Sequence, residues 1–334
     1  MWYRGVPHGF GIFVAPNREK YVGEFAGGKK HGVGRYFFSD GSFYDGDFHK
    51  NKAQGQGVYF FACGDKYSGE WHHDKRNGKG TYKYANGSVY TGNWVDNNMD
   101  GKGKMDWSYG AHYRGEFKRN CKHGRGIFTW PNGNTYKGMF DRDKLCGAGH
   151  MTYTSGHSYK GMWLNNMKHG KGTFTYVNGA VYEGDWIEDN RHGKGKLTFL
   201  PGTFIEEYYD GDWENDVKHG QGTYCYRKDE GTVYSGDWFR NTREGVGKIS
   251  YLDGSYYRGE FVEEKMQGQG VYVGADGSQY QGEWYLNMRQ GIGTLLSADG
   301  SIFHGDFSKN MKHGNGKMQY ADGNIFEGFW EGNV

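Results

Sequence analysis

The chain has 334 residues, of which 60 are glycine, 4 are proline and 18% are aromatic, and its formal net charge is +2. The many aromatic side chains exclude a disordered glycine-rich linker, because Tyr, Trp and Phe supply large areas for burial. The near-neutral charge excludes a chain-wide attraction to nucleic acid or to an anionic membrane.

The four cysteines are too few and too scattered for a disulfide framework. No apolar stretch approaches the length of about eighteen residues that spans a membrane. The N-terminus, MWYRGVPHGF, lacks the basic region and apolar run of a secretory signal. We therefore expect a cytoplasmic protein.

The first recurring strand pattern is YVGEF, which begins at Tyr21. The same Tyr/Phe-x-Gly-x-aromatic pattern returns along the chain, and its first residues are Tyr21, Tyr44, Tyr67, Tyr90, Tyr113, Tyr136, Tyr159, Tyr182, Tyr209, Tyr234, Tyr257, Tyr280, Phe303 and Phe326. The first eight are spaced by 23 residues, the next two intervals are 27 and 25, and the last four are again 23. Each of the first thirteen patterns is followed ten residues later by x-Gly-x-Gly, such as HGVG at His31. A period of this length predicts a repeat architecture.

Within one repeat the residues predict a β-hairpin. Alternate residues of a strand share a face, so Tyr21, Gly23 and Phe25 lie together in YVGEF. A loop, AGGKK, leads to the second strand, GVGRYFF, whose glycines and aromatic residues also alternate. Asn-Gly or Asp-Gly pairs, such as Asp40-Gly41, then predict a tight turn before the next repeat.

A single hairpin cannot bury its aromatic face, but stacked hairpins bury it together. The predicted fold is all-β: an elongated single-layer antiparallel sheet of stacked β-hairpins, a ribbon on the order of 130 Å long at the usual strand spacing. Residues 1–334 are predicted to form one continuous array of about 14 repeats with half-repeats at both ends. The two long intervals make residues 197–234 an irregular zone, for which we expect a bend or a longer surface loop.

The Y-x-G-x-W pattern followed by K-H-G-x-G, as in YKGMWLNNMKHGKGTFTYVNG, resembles the MORN (membrane occupation and recognition nexus) repeat. The resemblance covers essentially the whole chain. MORN repeats occur in junctional membrane proteins, lipid kinases, ciliary radial-spoke heads and parasite cytoskeletal scaffolds. The absence of an appended domain in this sequence resembles the all-repeat members. The resemblance therefore implies a non-enzymatic scaffold or adaptor that displays protein-binding surfaces to cytoskeletal or axonemal partners. The implied location is the cytoskeleton, a cilium or flagellum, or the boundary of membrane and cytoskeleton.

The segment before x-Gly-x-Gly often carries a cation. Stacking would line these cations along one loop edge, where they could bind anionic phospholipid headgroups; the candidates are Lys30, Lys122, Lys168, Arg191 and Lys218. An alternating acidic row and a role in blocking sheet aggregation are the competing explanations. The alternative function is therefore a peripheral membrane adaptor that binds phosphoinositides.

Two further groups of residues are candidate sites. Cys121, His123 and Cys146 lie on adjacent predicted loops and could contribute to a zinc site, although their spacing is unlike a standard zinc finger and lone cysteines are the commoner outcome. The expected cofactor is none. The recurring histidine before Gly-x-Gly is replaced elsewhere by Asn, Gln or Asp, so this position needs a hydrogen-bonding group and not a catalytic imidazole.

Two pairs of substitutions predict protein interfaces. Met139 and Met162 replace the usual acidic residue in neighbouring repeats, and they should face away from the aromatic side as an exposed apolar surface. Gly274 and Ser297 replace an aromatic residue in successive repeats, which could leave a notch for a partner helix. Structural tolerance explains both pairs equally simply.

No nucleophile elbow, phosphate-binding loop or unique carboxylate pair appears, and a periodic array presents the same groups everywhere, so we expect no enzyme. Nucleic-acid binding by aromatic residues interleaved with lysines conflicts with the charge and with the need for those rings in the core. A secreted wall-binding protein conflicts with the missing signal. A bare ribbon has open edges, so we expect a homodimer.

Overall fold

The computed structural model describes residues 2–203 and 205–333, and these residues form β-strands joined by turns, with no helix among them. The first sixteen strands are β1 Trp2–Tyr3, β2 Val6–Pro7, β3 Gly9–Val14, β4 Lys20–Ala26, β5 Lys29–Phe37, β6 Phe43–His49, β7 Lys52–Phe60, β8 Lys66–His72, β9 Lys75–Lys83, β10 Val89–Val95, β11 Asn98–Asp106, β12 His112–Lys118, β13 Cys121–Thr129, β14 Thr135–Asp141, β15 Lys144–Thr152 and β16 Ser158–Leu164. The other fourteen are β17 Met167–Thr175, β18 Val181–Ile187, β19 Asn190–Phe199, β20 Glu207–Glu214, β21 Val217–Cys225, β22 Val233–Phe239, β23 Thr242–Ser250, β24 Tyr256–Val262, β25 Lys265–Val273, β26 Gln279–Tyr285, β27 Met288–Leu296, β28 Ile302–Ser308, β29 Met311–Gln319 and β30 Ile325–Glu331.

The chain divides into two compact units, one up to Met167 and one from Lys168 onward. In the first unit the strands from β3 to β16 pair antiparallel, each with the next along the chain. In the second unit the strands from β17 to β30 pair in the same way. This architecture confirms the predicted all-β, antiparallel arrangement of hairpins. The expectation of one continuous array stays a prediction.

One register repeats from hairpin to hairpin. Gly115 of β12 is opposite Gly126 of β13, but Glu116 is then opposite His123, so β13 carries a β-bulge at this point. Equivalent shifts occur between Gly23 and Phe25 and in the other hairpins. A bulge of this kind re-aims the side chains that follow it and bends the strand.

Two kinds of turn join the strands. The segment AGGKK, predicted as a loop, shortens to a two-residue turn at Gly27 and Gly28, because β4 continues to Ala26 and β5 begins at Lys29. Both turn residues have positive φ, as the hairpin turn of type I′ requires. The Asp-Gly and Asn-Gly pairs lie in the other turns, where Gly41 has a φ of +92° and its N–H donates to the carbonyl of Phe38.

The core of each unit is a layer of aromatic rings. The leading tyrosines are almost fully buried, and Tyr90 meets Trp94 of its own hairpin and Phe117 of the next in edge-to-face contacts at 5.2 and 5.1 Å. The Tyr90 hydroxyl donates a hydrogen bond to the backbone carbonyl of Asn93 at 2.9 Å, which satisfies the buried polar tip of the ring. The same internal bond occurs at Tyr21, Tyr44, Tyr67, Tyr113, Tyr136, Tyr159, Tyr182, Tyr209, Tyr234, Tyr257 and Tyr280.

Paired glycines form the floor under each ring. A Cβ placed on Gly103 would lie 2.6 Å from both the hydroxyl and Cε2 of Tyr90, so no side chain fits between strand and ring. Glycine in a strand often marks such a close approach. The glycine content of the sequence is therefore a consequence of the flat aromatic core.

The irregular zone adds residues to two connections in the second unit. Residues 200–206 join β19 to β20, and residues 226–232 join β21 to β22, while the strand pairing on either side continues in register. The two connections contact each other, since the N–H of Lys228 donates to the carbonyl of Glu206 at 3.0 Å. Phe204 of this zone lies outside the described residues. Residues 2–203 and 205–333 include no helix that is long and apolar enough to cross a membrane.

Candidate binding surfaces

Each repeat places one side chain over the aromatic face from the second residue of its second strand. We call this position the cation slot, because Lys or Arg occupies it in most repeats: Lys30, Arg76, Lys122, Lys168, Arg191, Lys218, Arg243, Arg289 and Lys312. Nζ of Lys168 lies 4.4 Å from the ring centroid of Trp186, and Cζ of Arg191 lies 4.2 Å from that of Trp213. These are cation–π contacts with a ring of the following repeat.

The cation slots differ from the exposed loop edge that the sequence suggested. The side chains of Lys122, Lys168 and Arg191 are only 16%, 15% and 17% exposed. Burial lowers the pKa of the ammonium groups of Lys30, Lys168 and Lys218. The cations lie over the aromatic face because of strand parity. Lys30 lies six residues before Tyr36 in the same strand, so both side chains are on the same face. A role in lipid binding stays a prediction.

A second position, which we call the acceptor slot, lies in the turn of the following repeat. Its side-chain oxygen accepts the backbone N–H of the cation-slot residue, as Asn51 does from Lys30 at 2.8 Å. The other acceptors are Asp74, Asn97, Asn120, Asp143, Asn166, Asp189, Asp216, Asn241, Glu264, Asn287, Asn310 and Asn333. Where the acceptor is acidic and the slot is cationic, an ion pair adds to this bond, as between Arg243 and Glu264 at 2.6 Å.

The acidic row on the outer face has a structural task that the sequence analysis missed. The carboxylate of Glu70 accepts the backbone N–H of Lys79 at 2.9 Å, and Asp212 does the same for Gln221 at 2.9 Å. Both acceptors lie beside the bulge of their hairpin, where the strand pairing leaves backbone groups free. The bulge depends on how two strands pair, so the sequence alone does not show it. The regular spacing of the acidic residues was the only signal of their structural role.

Met139 and Met162 lie on the face opposite the aromatic layer, as expected from strand alternation. Met162 is 44% exposed and Ile127 is 41% exposed. A shallow cavity of about 470 Å³ beside them is lined by Ile127, Met139 and Ala148, with Arg125 at its rim. These residues form an apolar surface, and its role as an interface stays a prediction.

The zinc candidates are not assembled into a site. Among the described residues, no group of three His, Cys, Asp or Glu side chains is arranged to hold a metal ion. His123 lies with Nδ1 3.3 Å from Oδ1 of Asp141, and burial raises the pKa of the Cys121 and Cys146 thiols. Zinc binding at these residues stays a prediction.

Gly274 and Ser297 lie at the first position of the turn that follows the second strand. Their N–H groups donate to the carbonyls of Ser278 and Ser301, both at 2.8 Å. In other repeats this position carries a ring, such as Tyr84, which packs 4.6 Å from Tyr82. The two residues therefore thin the outer row of rings, and partner binding there stays a prediction.

The comparisons with known proteins agree with this geometry. The MORN repeat family matches fourteen consecutive segments: 1–19, 21–43, 44–66, 67–89, 90–110, 113–135, 136–158, 159–181, 182–204, 209–229, 234–256, 257–279, 280–302 and 303–325. The curated protein sequences include no significant match.

Solved structures give only distant likenesses. The TCP domain of Drosophila melanogaster SAS-4, in complex with a proline-rich motif of Ana2, is 16% identical over 46% of this chain and 83% of its own, with a TM-score of 0.29. The TCP10 domain of Danio rerio CPAP is 9% identical over 96% and 99% of the two chains, with a TM-score of 0.13. Virginiamycin B lyase from Staphylococcus aureus, solved with quinupristin, is 9% identical over 95% and 92%, with a TM-score of 0.14. These scores carry no argument about function. The repeats decide the assignment: the chain belongs to the MORN repeat family, and such repeats indicate a repeat-based scaffold for protein interactions.

Proposed function

We propose that the chain is a scaffold that displays repeated protein-binding surfaces in a cytoskeletal or ciliary/flagellar assembly. The observation that supports this proposal is that inward and outward positions of each repeat have different roles. Tyrosines, paired glycines and acceptor-slot residues hold the hairpins together, whereas the outward positions differ from repeat to repeat. The residue after the first glycine of Gly-x-Gly is Lys171 in one hairpin, Val246 in another and Ile292 in a third.

This arrangement suits display and does not suit catalysis. Catalysis needs unlike groups that converge on one point, whereas each hairpin presents its outward residues at the same geometry as its neighbours. Single partners can therefore contact several repeats, or several partners can bind side by side. The partners we propose are cytoskeletal or axonemal proteins and a second copy of the chain, in the cytoplasm.

The alternative, a peripheral membrane adaptor that binds phosphoinositides, is less well supported. Its candidate cations lie over aromatic rings, and three of them also pair with carboxylates: Lys122 with Asp143, Lys168 with Asp189, and Arg191 with Asp216. A direct test replaces these three cations by methionine, which occupies the same slot at Met99. Binding to phosphoinositide vesicles that falls at least tenfold in this variant would favour the adaptor; absent or unchanged binding would dismiss the cation slots as a lipid site.

Fractionation of the source cell tests the scaffold directly. We would tag the protein, extract the cells with non-ionic detergent and follow the tag. Retention in the insoluble cytoskeletal fraction is the expected result. Complete release with the detergent-soluble proteins would contradict the scaffold and favour the membrane adaptor.

A further inference from the structure

Among the hairpins from β4–β5 onward, four lack a cation in the cation slot, and one of them differs from the other three. In those three the slot holds a large apolar side chain and the acceptor is a neutral amide: Met99 with Asn120, Leu145 with Asn166, and Met266 with Asn287. The fourth pair is Ala53 with Asp74. The methyl group of Ala53 is too small to fill the slot, and the acceptor beside it, Asp74, carries a full negative charge.

The empty slot is part of a cavity of about 300 Å³ on the aromatic face, which also extends over Lys30 and Tyr36 of the preceding repeat. Its walls include the rings of Tyr44, Tyr59 and Trp71, with the Asp74 carboxylate at the side. Ala53 itself is buried and Asp74 is exposed, so the cavity has an apolar floor and an acidic, solvent-accessible rim. A volume of this size lies at the lower end of the range for ligand pockets, about 300–1,000 Å³.

The next repeat indicates what such a cavity accepts. There Cζ of Arg76 lies 5.8, 5.2 and 4.5 Å from the ring centroids of three side chains, which are Tyr67, Tyr82 and Trp94. These rings are equivalent, 23 residues on, to the three that line the Ala53 cavity. The repeat at Ala53 therefore keeps a cage that binds a guanidinium elsewhere, but has lost the side chain that fills it.

Charge favours a cation from outside. Acidic acceptors in other repeats pair with the chain's own cation, as in Lys122 with Asp143 at 3.2 Å. Asp74 takes part in none of the salt bridges found among the described residues, although its charge acts on Lys30 across the cavity. Oδ1 of Asp74 accepts the N–H of Ala53 at 2.7 Å, which leaves the other oxygen available.

Two other charged groups line the cavity. The carboxylate of Glu19 accepts a hydrogen bond from the hydroxyl of Tyr36 at 2.5 Å, and Nζ of Lys30 lies 3.8 Å from the centroid of the Tyr36 ring. Two carboxylates thus face one ammonium, and the sum is one unit of negative charge. An aromatic cage with net negative charge binds cations and disfavours anions.

We propose that this cavity is a receptor site for an Arg or Lys side chain of a protein partner. The inference deepens the proposed scaffold function and rests on it, because it specifies one contact that the array makes with a partner. The incoming side chain would lie over Tyr44, Tyr59 and Trp71, and its N–H groups would donate to Asp74. It would complete the repeat in the way that Arg76 completes the next one.

The test uses the purified chain and a blocked Gly-Gly-Arg-Gly-Gly peptide, its lysine counterpart, and a norleucine counterpart that has the same reach but no charge. The readout is the indole N–H signal of Trp71 in tryptophan-labelled protein, assigned with Trp71→Phe. This N–H donates to the carbonyl of Gly57 at 3.2 Å and lies at the cage wall. We expect a saturable shift with a dissociation constant on the order of 1 mM, a value appropriate to a single anchored side chain.

Variants copied from other repeats keep the fold and isolate the cage. Ala53→Arg should fill it, as Arg76 does, and abolish the shift. Asp74→Asn should weaken binding at least fivefold. The same change at a filled cage, Asp189→Asn, is the matched control and should leave binding unchanged. No saturable shift with either cationic peptide, an equal response to norleucine, or an unchanged response in Ala53→Arg would each overturn the proposal. Since only the purified chain is used, failure here leaves the scaffold proposal to the fractionation experiment.

Discussion

Arg191 reaches forward into the next repeat, where its Nε lies 2.9 Å from Oδ1 of Asp216 and its Cζ lies 4.2 Å from the ring centroid of Trp213. Its backbone N–H also donates to Asp216 at 2.9 Å. One residue therefore joins two hairpins by an ion pair, a ring contact and a backbone hydrogen bond. The stack is held by cations as well as by aromatic rings.

Removing this cation should destabilise the stack. Arg191→Ala exposes the ring of Trp213 and leaves Asp216 without its charge partner, and we expect a loss of about 1–3 kcal/mol from the lost cation–π contact and the lost charge-assisted hydrogen bonds. Arg191→Met should lose less, because methionine fills the equivalent slot at Met99. Urea unfolding of the two variants measures the difference. Equal stability of both variants and the wild type would contradict a structural role for the slot.

The glycine floor predicts a severe effect from one methyl group. Gly103→Ala would place a Cβ 2.6 Å from Cε2 of Tyr90, and overpacking of this kind costs about 1–3 kcal/mol or more. Gly11→Ala is the matched control, since its Cβ would meet Phe25 only at 3.6 Å, an ordinary contact. Thermal unfolding should show a large drop for the first variant and little change for the second. Similar midpoints would show that the ring does not lie on the glycine pair.

The tyrosine core predicts loss of stability at alkaline pH. Burial raises the pKa of Tyr21, Tyr136 and Tyr280 to about 12, whereas an unfolded tyrosine titrates at about 10. The folded state thus prefers the neutral phenol. The resulting stability is complete below about pH 10 and is lost as the pH rises through about 12.

Deprotonation of the lysines in the cation slots has the opposite effect on stability. Burial lowers the pKa of Lys30 and Lys168, so the folded state favours their neutral form as the pH rises. The leading tyrosines outnumber them, so the net effect should be destabilisation. Circular dichroism and tyrosinate absorbance should change together between about pH 10 and 12. Titration of the buried tyrosines near pH 10 with the fold intact would contradict the buried ring layer.

The apolar surface around Met139 and Met162 predicts weaker self-association when it is charged. Met139→Glu with Met162→Glu restores the acidic residue that other repeats have at this position, so the fold should persist. Leu252→Glu is the control, because Leu252 is 72% exposed and lies in a turn of the second unit. Sedimentation should show a shift toward monomer in the double variant only. An unaltered assembly in both proteins would remove this surface from the interface.

The sequence predicted the hairpins because every strand carries the same local signals. The alternation of Tyr21, Gly23 and Phe25, and turn pairs such as Asp40-Gly41, are decided within a few residues. The cation slot was misplaced because AGGKK looks like a loop of five residues, although the strand already begins at Lys29. Strand parity would have placed Lys30 with Tyr36, had the strand been extended that far.

The cage at Ala53 required the register between repeats. Nothing local to Ala53 or Asp74 distinguishes them from ordinary turn and strand residues. The cage is recognised from the pairing of each cation slot with the acceptor one repeat later. This pairing is seen when the hydrogen bond from Ala53 to Asp74 is compared with those of Met99, Leu145 and Met266.

The central claim is that several repeats of the array contact proteins at once, and cross-linking of the tagged protein in detergent-extracted cells tests it most directly. The reactive groups are outward lysines of separate hairpins, such as Lys104, Lys171 and Lys194, whose side chains are 58%, 74% and 68% exposed. Mass spectrometry of the products should find cross-links from more than one hairpin to cytoskeletal or axonemal proteins. Cross-links confined to a single hairpin, or none to any protein, would contradict the account.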